Sequence, residues 1–553
     1  MRTPEESARD CARGGAGSLA LRYFLVAEQH HSLKEVMRFC TRVRRVRSKG
    51  AILVLIWNFL VAASYVMTAS KVKFSDTLST YEVVFYTLQA LFTVVSLLLA
   101  GWLADVYFGR YKVMYVCIWV VWVSSVVGVV ALIVQSVYPN PVLDYIVLLP
   151  KFLVAVWSAA YVANVLPFGT DQILDGSSDE ISTFVNWCVW TWFAGYWVAN
   201  LLHSSISSCV NLTTPITELF AVALLSLALC LDFFCQKWLV IEPESRNPLK
   251  TVLSVLKYAA THKHPVQRSA FTYCERDIPT RLNLGKSKYG GPFTTEQVED
   301  VKTFLRILLV VTCAVTSITG IILLSLIPSS PQQHFYTPDY LLECSEVVAA
   351  AVYSWSAVAS LCIPTYEFLI YPLTRKWMPS MLKRIGIGAV FTVILGVTMT
   401  VIDSVGHALT STPVPCLFMI NETAVLDINY LWVDVWSNVM IGLQFAIFAT
   451  AAFEFICAQS PYSMKGLLSG LGWAIFLLAL AVAVLLIVAW SEGWKEPYST
   501  PSCGTFYYMF ATLVSIAGLV AYIVVARWYK RREREEPANE QELIESVYDR
   551  YFT

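Results

Sequence analysis

From one terminus to the other the chain alternates long apolar runs with short polar breaks. A helix needs roughly 20 apolar residues to cross the hydrocarbon of a bilayer. Runs of that length fall at 51–70, 82–103, 113–134, 144–166, 183–206 and 217–236, then at 304–327, 346–371, 385–406, 431–457, 466–490 and 503–527. The pattern predicts an all-α integral membrane protein with about 12 transmembrane helices. A long polar interruption, 237–303, divides them into two six-helix halves, 51–236 and 304–528, with tails at 1–50 and 529–553.

The distribution of charge orients this array, because Lys and Arg accumulate on the cytoplasmic side of a membrane. Eleven of them crowd residues 1–50, from Arg2 to Lys49, and ten more lie between 237 and 301. The short loops holding Arg110 and Lys112, and Arg375 to Arg384, fall on the same side, as does the tail after Lys530. The six loops on the other side hold only Lys71, Lys73 and Lys495. Both termini are therefore expected in the cytoplasm, and no apolar region ahead of the first span suggests a signal peptide. Two sequons, at Asn211 and Asn421, fall in loops assigned to the outside, where glycans can be added. Cys209, Cys344, Cys416 and Cys503 lie in or beside outer loops, where either free thiols or disulfides are permitted.

Composition agrees with a chain that needs a second solvent. Hydrophobic residues make up 56% and charged residues 14% of the 553, more apolar surface than a soluble core requires. With 40 basic and 40 acidic residues, the balance gives no support to a nucleic-acid partner. The sequence carries no phosphate-cradling glycine loop, zinc-ligand spacing or soluble catalytic domain. Neither an enzyme, a cofactor, a metal nor ATP-driven transport is expected; the partners are the lipid bilayer and a small solute.

Particular runs narrow the class. Gly101-Trp-Leu-Ala-Asp105 followed by Gly109-Arg110-Tyr-Lys112 resembles the loop signature of the major facilitator superfamily. There an Asp and a nearby Arg form a latch, pairing with the facing half in one conformation only. Phe168-Gly-Thr-Asp171-Gln172, Phe184-Val-Asn186-Trp187, Ile363-Pro-Thr-Tyr-Glu367 and Phe453-Glu454-Phe455 follow in order, with Gln459-Ser-Pro461-Tyr-Ser-Met-Lys465 after them. Together they resemble the proton-coupled oligopeptide transporter family, over roughly residues 50–530. The resemblance implies two six-helix halves around a midplane site. It also implies uptake of peptides, amino acids such as histidine, or organic and inorganic anions, usually with protons.

Departures from the family pattern qualify that expectation. The first span has no Asp, Glu, Lys or Arg, where the family carries a glutamate-rich motif for proton coupling. Val162 stands where the family has the Lys that meets a peptide carboxylate, and Phe445 where it has the Glu that meets a peptide amine. Glu454 lies about 13 Å farther along its helix than Phe445 and cannot replace that carboxylate. A proton is thus an implied partner that these departures count against.

Polar groups within spans are costly and point to function. Asn58 and Tyr65, seven apart on one helical face, join Asn164, Gln444 and Phe445 as candidates for a solute site. Buried amides also serve as interhelical hydrogen bonds. Glu367 and Glu454 are candidates for a gate or a proton site, and Asp105 and Arg110 for the latch. Lys151 is expected to extend along its stem toward the interface. Two functions fit: a secondary or facilitative carrier of a small solute in a plasma or endolysosomal membrane, or a receptor or scaffold that kept the fold without transport.

Overall fold

The structure is a computed structural model that describes residues 46–68, 80–138, 141–173, 178–206, 214–241, 247–262, 280–325, 354–374, 377–409, 430–493 and 503–529. The helices of its first part are α1 (Lys49–Thr68), α2 (Thr80–Leu103), α3 (Arg110–Val137), α4 (Pro141–Asp171), α5 (Ser178–Ser204) and α6 (Thr214–Cys235). A connector helix follows, α7 (Pro248–Thr261). Then come α8 (Thr295–Ser325), α9 (Trp355–Thr365), α10 (Met381–Leu409), α11 (Tyr430–Gln459), α12 (Lys465–Gly493) and α13 (Cys503–Trp528). The sequons at Asn211 and Asn421 lie outside the described residues.

Among the described residues, 11 helices are long and apolar enough to cross a membrane. The chain is an integral, multi-pass, all-α membrane protein. The remaining expected span is α5, helical for 27 residues but rich in polar side chains, among them Asp179, Glu180, Asn186 and His203. A polar helix is tolerated where neighbouring helices, not lipid, receive its side chains. α5 packs on α1 and α11, burying Thr183, Phe184, Asn186 and Thr191. Helices also outrun the apolar windows. α4 covers 31 residues, passing through Pro150 and Pro167, about 46 Å at 1.5 Å per residue.

Packing follows from which side of each helix meets lipid. α1 lies against α5 and α6, α3 against α4 and α6, and α2 against α4. In the later part α8 meets α12 and α13, and α10 meets α11 and α13. Leu91 and Phe92 on α2, Val127 and Val130 on α3, and Leu485 on α12 are exposed. Their solvent is hydrocarbon, so burial against protein would bring them no hydrophobic gain. The two series meet where α2 and α4 touch α12, and where α5 touches α11.

The connector is ordered at α7. Asn247 caps it by accepting a hydrogen bond from the Lys250 amide at 3.3 Å, with Pro248 at the first helical position. Its buried face of Val252, Val255 and Ala259 is turned onto protein, against α8 and the turn Asn283–Gly285. Lys286 and Lys302 fix that turn region by pairing with Glu299 at 2.6 and 2.7 Å.

The chain divides into two compact units, one holding the residues from Val46 to Ile363 and from Pro379 onward, the other, among the described residues, Pro364–Met378. In the shorter unit Glu367 sits on a π-helical turn, Tyr366–Ile370. There the Tyr366 hydroxyl donates to the Met378 sulfur at 3.6 Å.

Candidate transport site

α2 ends in a π-helical turn, Ala104–Phe108, and Gly109, at φ 77°, turns the chain into α3. That backbone angle is readily available only to glycine. The turn sets Asp105 beside Arg110, whose Nε and Nη2 donate to Asp105 Oδ1 at 2.9 and 2.8 Å. Arg110 Nη1 also donates to Asp171 Oδ2. Asp171 closes α4, where the helix dipole disfavours a carboxylate. Arg110 offsets this together with Lys465, whose Nζ lies 3.3 Å from Asp171 Oδ1.

Asp105 also reaches the other series of helices. Its carboxylate accepts hydrogen bonds from the backbone amides of Gly466 at 3.3 Å and Leu467 at 3.0 Å, at the start of α12. Those amides are orphan donors at the positive end of a helix dipole, so a buried carboxylate is well placed there. The approach depends on small residues, because a Cβ on Gly101 would overlap the carbonyl of Gly466. Three runs far apart in sequence, around Gly101, Asp171 and Lys465, thus converge on one charged knot.

A second clasp lies near the same ends of the helices. Arg384 Nη2 on α10 donates to Glu454 Oε2 at 2.5 Å, and Ser182 Oγ on α5 donates to Glu454 Oε1 at 2.7 Å. Glu454 thereby links α5 to α11. Ser182 carries no signal in the sequence; it is one hydroxyl among many at a helix start.

Farther along the bundle is a cavity of about 350 Å³. Tyr65, Trp192, Phe193, Tyr196 and Trp355 line it, as do Phe445, Trp473 and Phe476. Val162 of α4 completes part of the wall. Among the described residues the lining includes no Asp, Glu, Lys, Arg or His. Among the described residues no group of three or more His, Cys, Asp or Glu is placed to hold a metal ion.

The sequence candidates divide on this geometry. Tyr65 and Phe445 line the cavity, whereas Asn58, Asn164 and Gln444 do not. Asn58 Nδ2 donates to the Cys188 carbonyl at 2.8 Å and to Thr191 Oγ1 at 2.9 Å, which pins α1 to α5. It shares a face with Tyr65 but lies two turns away, where α5 closes against α1. Asn164 Nδ2 donates to the Ala160 carbonyl of its own helix at 3.0 Å. Gln444 is fully buried, and neither end of its amide has a partner among the described residues. Lys151 is partnered electrostatically by Glu218, a buried acid on α6 that apolar flanks had concealed. Asn58→Ala is expected to cost about 1–3 kcal/mol of stability while leaving solute affinity unchanged. Thermal melting alongside equilibrium binding checks this, and an affinity loss without a melting shift would return Asn58 to the site.

Trp192, Tyr196, Trp355, Trp473 and Phe476 are wall residues beyond the sequence candidates. Three of the five are tryptophans, but tryptophan is equally at home facing lipid, as Trp119 does at 40% exposure. Residue type alone did not separate the two settings.

The helices adopt a major facilitator superfamily fold, with the knot at Asp105 and Arg110 joining α2, α3, α4 and α12. Comparison with known proteins narrows the class. A family model described as the POT family matches residues 346–489. The chain is 21% identical over 520 residues to mouse (Mus musculus) solute carrier family 15 member 3, covering 82% of this chain and 86% of that one. It is 21% identical over 526 residues to Arabidopsis thaliana protein NRT1/PTR family 2.9, covering 82% and 86%. The crystal structure of an auto inhibited POT family peptide transporter aligns with a TM-score of 0.57 at 16% identity, covering 89% of this chain and 99% of that chain. The chain is thus similar, at low identity, to transporters described as the POT family.

Proposed function

We propose that the protein is a carrier that moves a small solute by rocking its two six-helix halves, 51–236 and 304–528, about the aromatic cavity, with both termini in the cytoplasm. The two clasps support this reading. Asp105 at the start of α12 and Glu454 with Ser182 join the helix series through contacts that would separate when the halves tilt. A receptor or scaffold has no need of such breakable links.

The observation that carries the finer reading is the uncharged wall. With Val162 and Phe445 in the lining, the described residues of the cavity offer neither a cation for a peptide carboxylate nor an anion for a peptide amine. Glu454 is engaged by Arg384 and Ser182 and lies outside the cavity. Proton coupling requires a group that changes protonation between the two open states, and the described lining supplies no carboxylate for it. Transport is therefore facilitative or only weakly dependent on the proton gradient, and dipeptides are poor substrates. The test is dipeptide uptake into proteoliposomes at outside pH 5.5 and 7.5. The expected ratio is about one, since no carboxylate stands in the described lining to load a proton with the solute. Acid-stimulated accumulation above equilibrium would overturn the reading.

A further inference from the structure

We propose that the cavity is an aromatic cage for a hydrophobic organic monocation bearing a quaternary ammonium group, an inference that rests on the carrier reading above. Its walls form a nearly continuous belt of rings. Tyr65 stacks on Trp192 with centroids 6.4 Å apart, and Trp192 lies 5.9 Å from Trp473. Trp473 to Phe476 is 6.4 Å, Phe476 to Phe445 5.9 Å, and Phe445 to Trp355 5.1 Å. Trp355 to Tyr196 at 5.5 Å brings the belt back to α5. Five helices, α1, α5, α9, α11 and α12, thus contribute rings to one space.

The chemistry of such a wall discriminates among solutes. Ring faces are electronegative, so they repel an anion, and the described lining has no Lys or Arg to counter that. A zwitterion would need charges of both signs. A neutral apolar solute would fit the rings but dissolves through hydrocarbon unaided. A permanently charged cation is rejected by the bilayer, yet a quaternary ammonium is weakly hydrated and is stabilised over aromatic faces, most strongly over Trp. It is the class that both needs a carrier and suits this wall.

Two further features agree. Ser158 lines the cavity at 2% exposure, and its hydroxyl has no partner among the described residues. Its lone pairs are available to a cation or to a donor group on the same solute. The volume of about 350 Å³ falls in the range of small-molecule sites. The energetics also close without a proton, because membrane potential alone drives a monocation toward the negative side.

The experiment uses the full-length protein and radiolabelled benzyltrimethylammonium. Binding is measured on the purified protein in competition with three unlabelled compounds: the carbon isostere neopentylbenzene, benzoate, and the dipeptide glycyl-phenylalanine. Uptake is measured in proteoliposomes clamped by a potassium gradient and valinomycin, where a tenfold gradient sets about tenfold accumulation of a monocation at equilibrium. The expected results are saturable binding, weak competition by all three, and potential-driven accumulation. Trp473→Leu should weaken binding about tenfold and Trp473→Phe less, following the order of ring strengths, while Trp119→Leu on the lipid face changes nothing. The Trp473→Phe variant preserves packing and keeps the grading readable if Trp473→Leu folds poorly. Equal competition by neopentylbenzene, or stronger competition by benzoate or the dipeptide, overturns the cage. Cage-dependent binding without accumulation supports the cage and removes the carrier. Accumulation of the dipeptide without any binding of the cation removes the cage and leaves the carrier.

Discussion

Arg110→Leu is expected to be the most damaging single substitution, lowering both the yield of folded protein and its melting temperature. Arg110 is the common partner of two buried carboxylates, with 10% of its side chain exposed against 0% for Asp105 and 3% for Asp171. Removing the cation takes the guanidinium from Asp105, which also accepts from the two amides of α12, and from Asp171, which also faces Lys465 at 3.3 Å. Breaking a buried pair by deleting one partner costs about 3–5 kcal/mol, a large part of the stability of most folds. Arg110→Lys keeps the charge but cannot bridge two carboxylates through separate nitrogens of one planar fork, so an intermediate loss is expected. Thermal unfolding followed by size-exclusion chromatography in detergent gives the ranking. A leucine variant that melts with the parent protein would show that the knot is solvated and of little weight.

How much of this was legible in the sequence depends on whether the signal was consecutive. The pairing of Asp105 with Arg110 was readable because Gly101 to Lys112 form one short run and because Gly, Asp and Arg stand out in apolar surroundings. Its partners were only half readable. Asp171 and Lys465 both sat in matched runs, but nothing in a linear pattern joins positions 294 residues apart. The spans were legible from hydropathy, and α5 was the instructive case, a helix that appears as a span by its length and falls short by its polarity.

The cavity was the least legible part. In a uniformly apolar helix no periodicity fixes which side faces the centre, since lipid and protein interior reward the same side chains. Phe445 was found because it replaced an expected charge, whereas Trp473, one turn from Phe476, stood in an apolar run with nothing to set it apart. The amides drew attention for the opposite reason. Asn58 and Asn164 are conspicuous in apolar runs, yet their donors are engaged by Cys188 and Thr191 and by Ala160.

The same physics of close approach makes Gly101→Leu a test of rocking rather than of folding. α2 and α12 touch at Gly101 and Gly466, where a Cβ on Gly101 would overlap the Gly466 carbonyl and stand 3.1 Å from the Leu467 nitrogen. These contacts are backbone and cannot rotate aside, so a side chain at 101 forces the helix ends apart and withdraws Asp105 from the amides of Gly466 and Leu467. The penalty, about 1–3 kcal/mol for overpacking, falls on the arrangement in which these ends meet and leaves the tilted arrangement unstrained. A penalty confined to one state shifts the population by roughly fivefold to more than a hundredfold. Spin labels at Lys112 on α3 and Lys383 on α10, both exposed near the two clasps, should report a single short distance in the parent protein. In Gly101→Leu a longer component should dominate, with Gly101→Ala intermediate and uptake slowed in the same order. If the longer distance is missing while uptake is unchanged, the contact of α2 with α12 is not the hinge of the cycle, and the latch at Asp105 is a fixed brace.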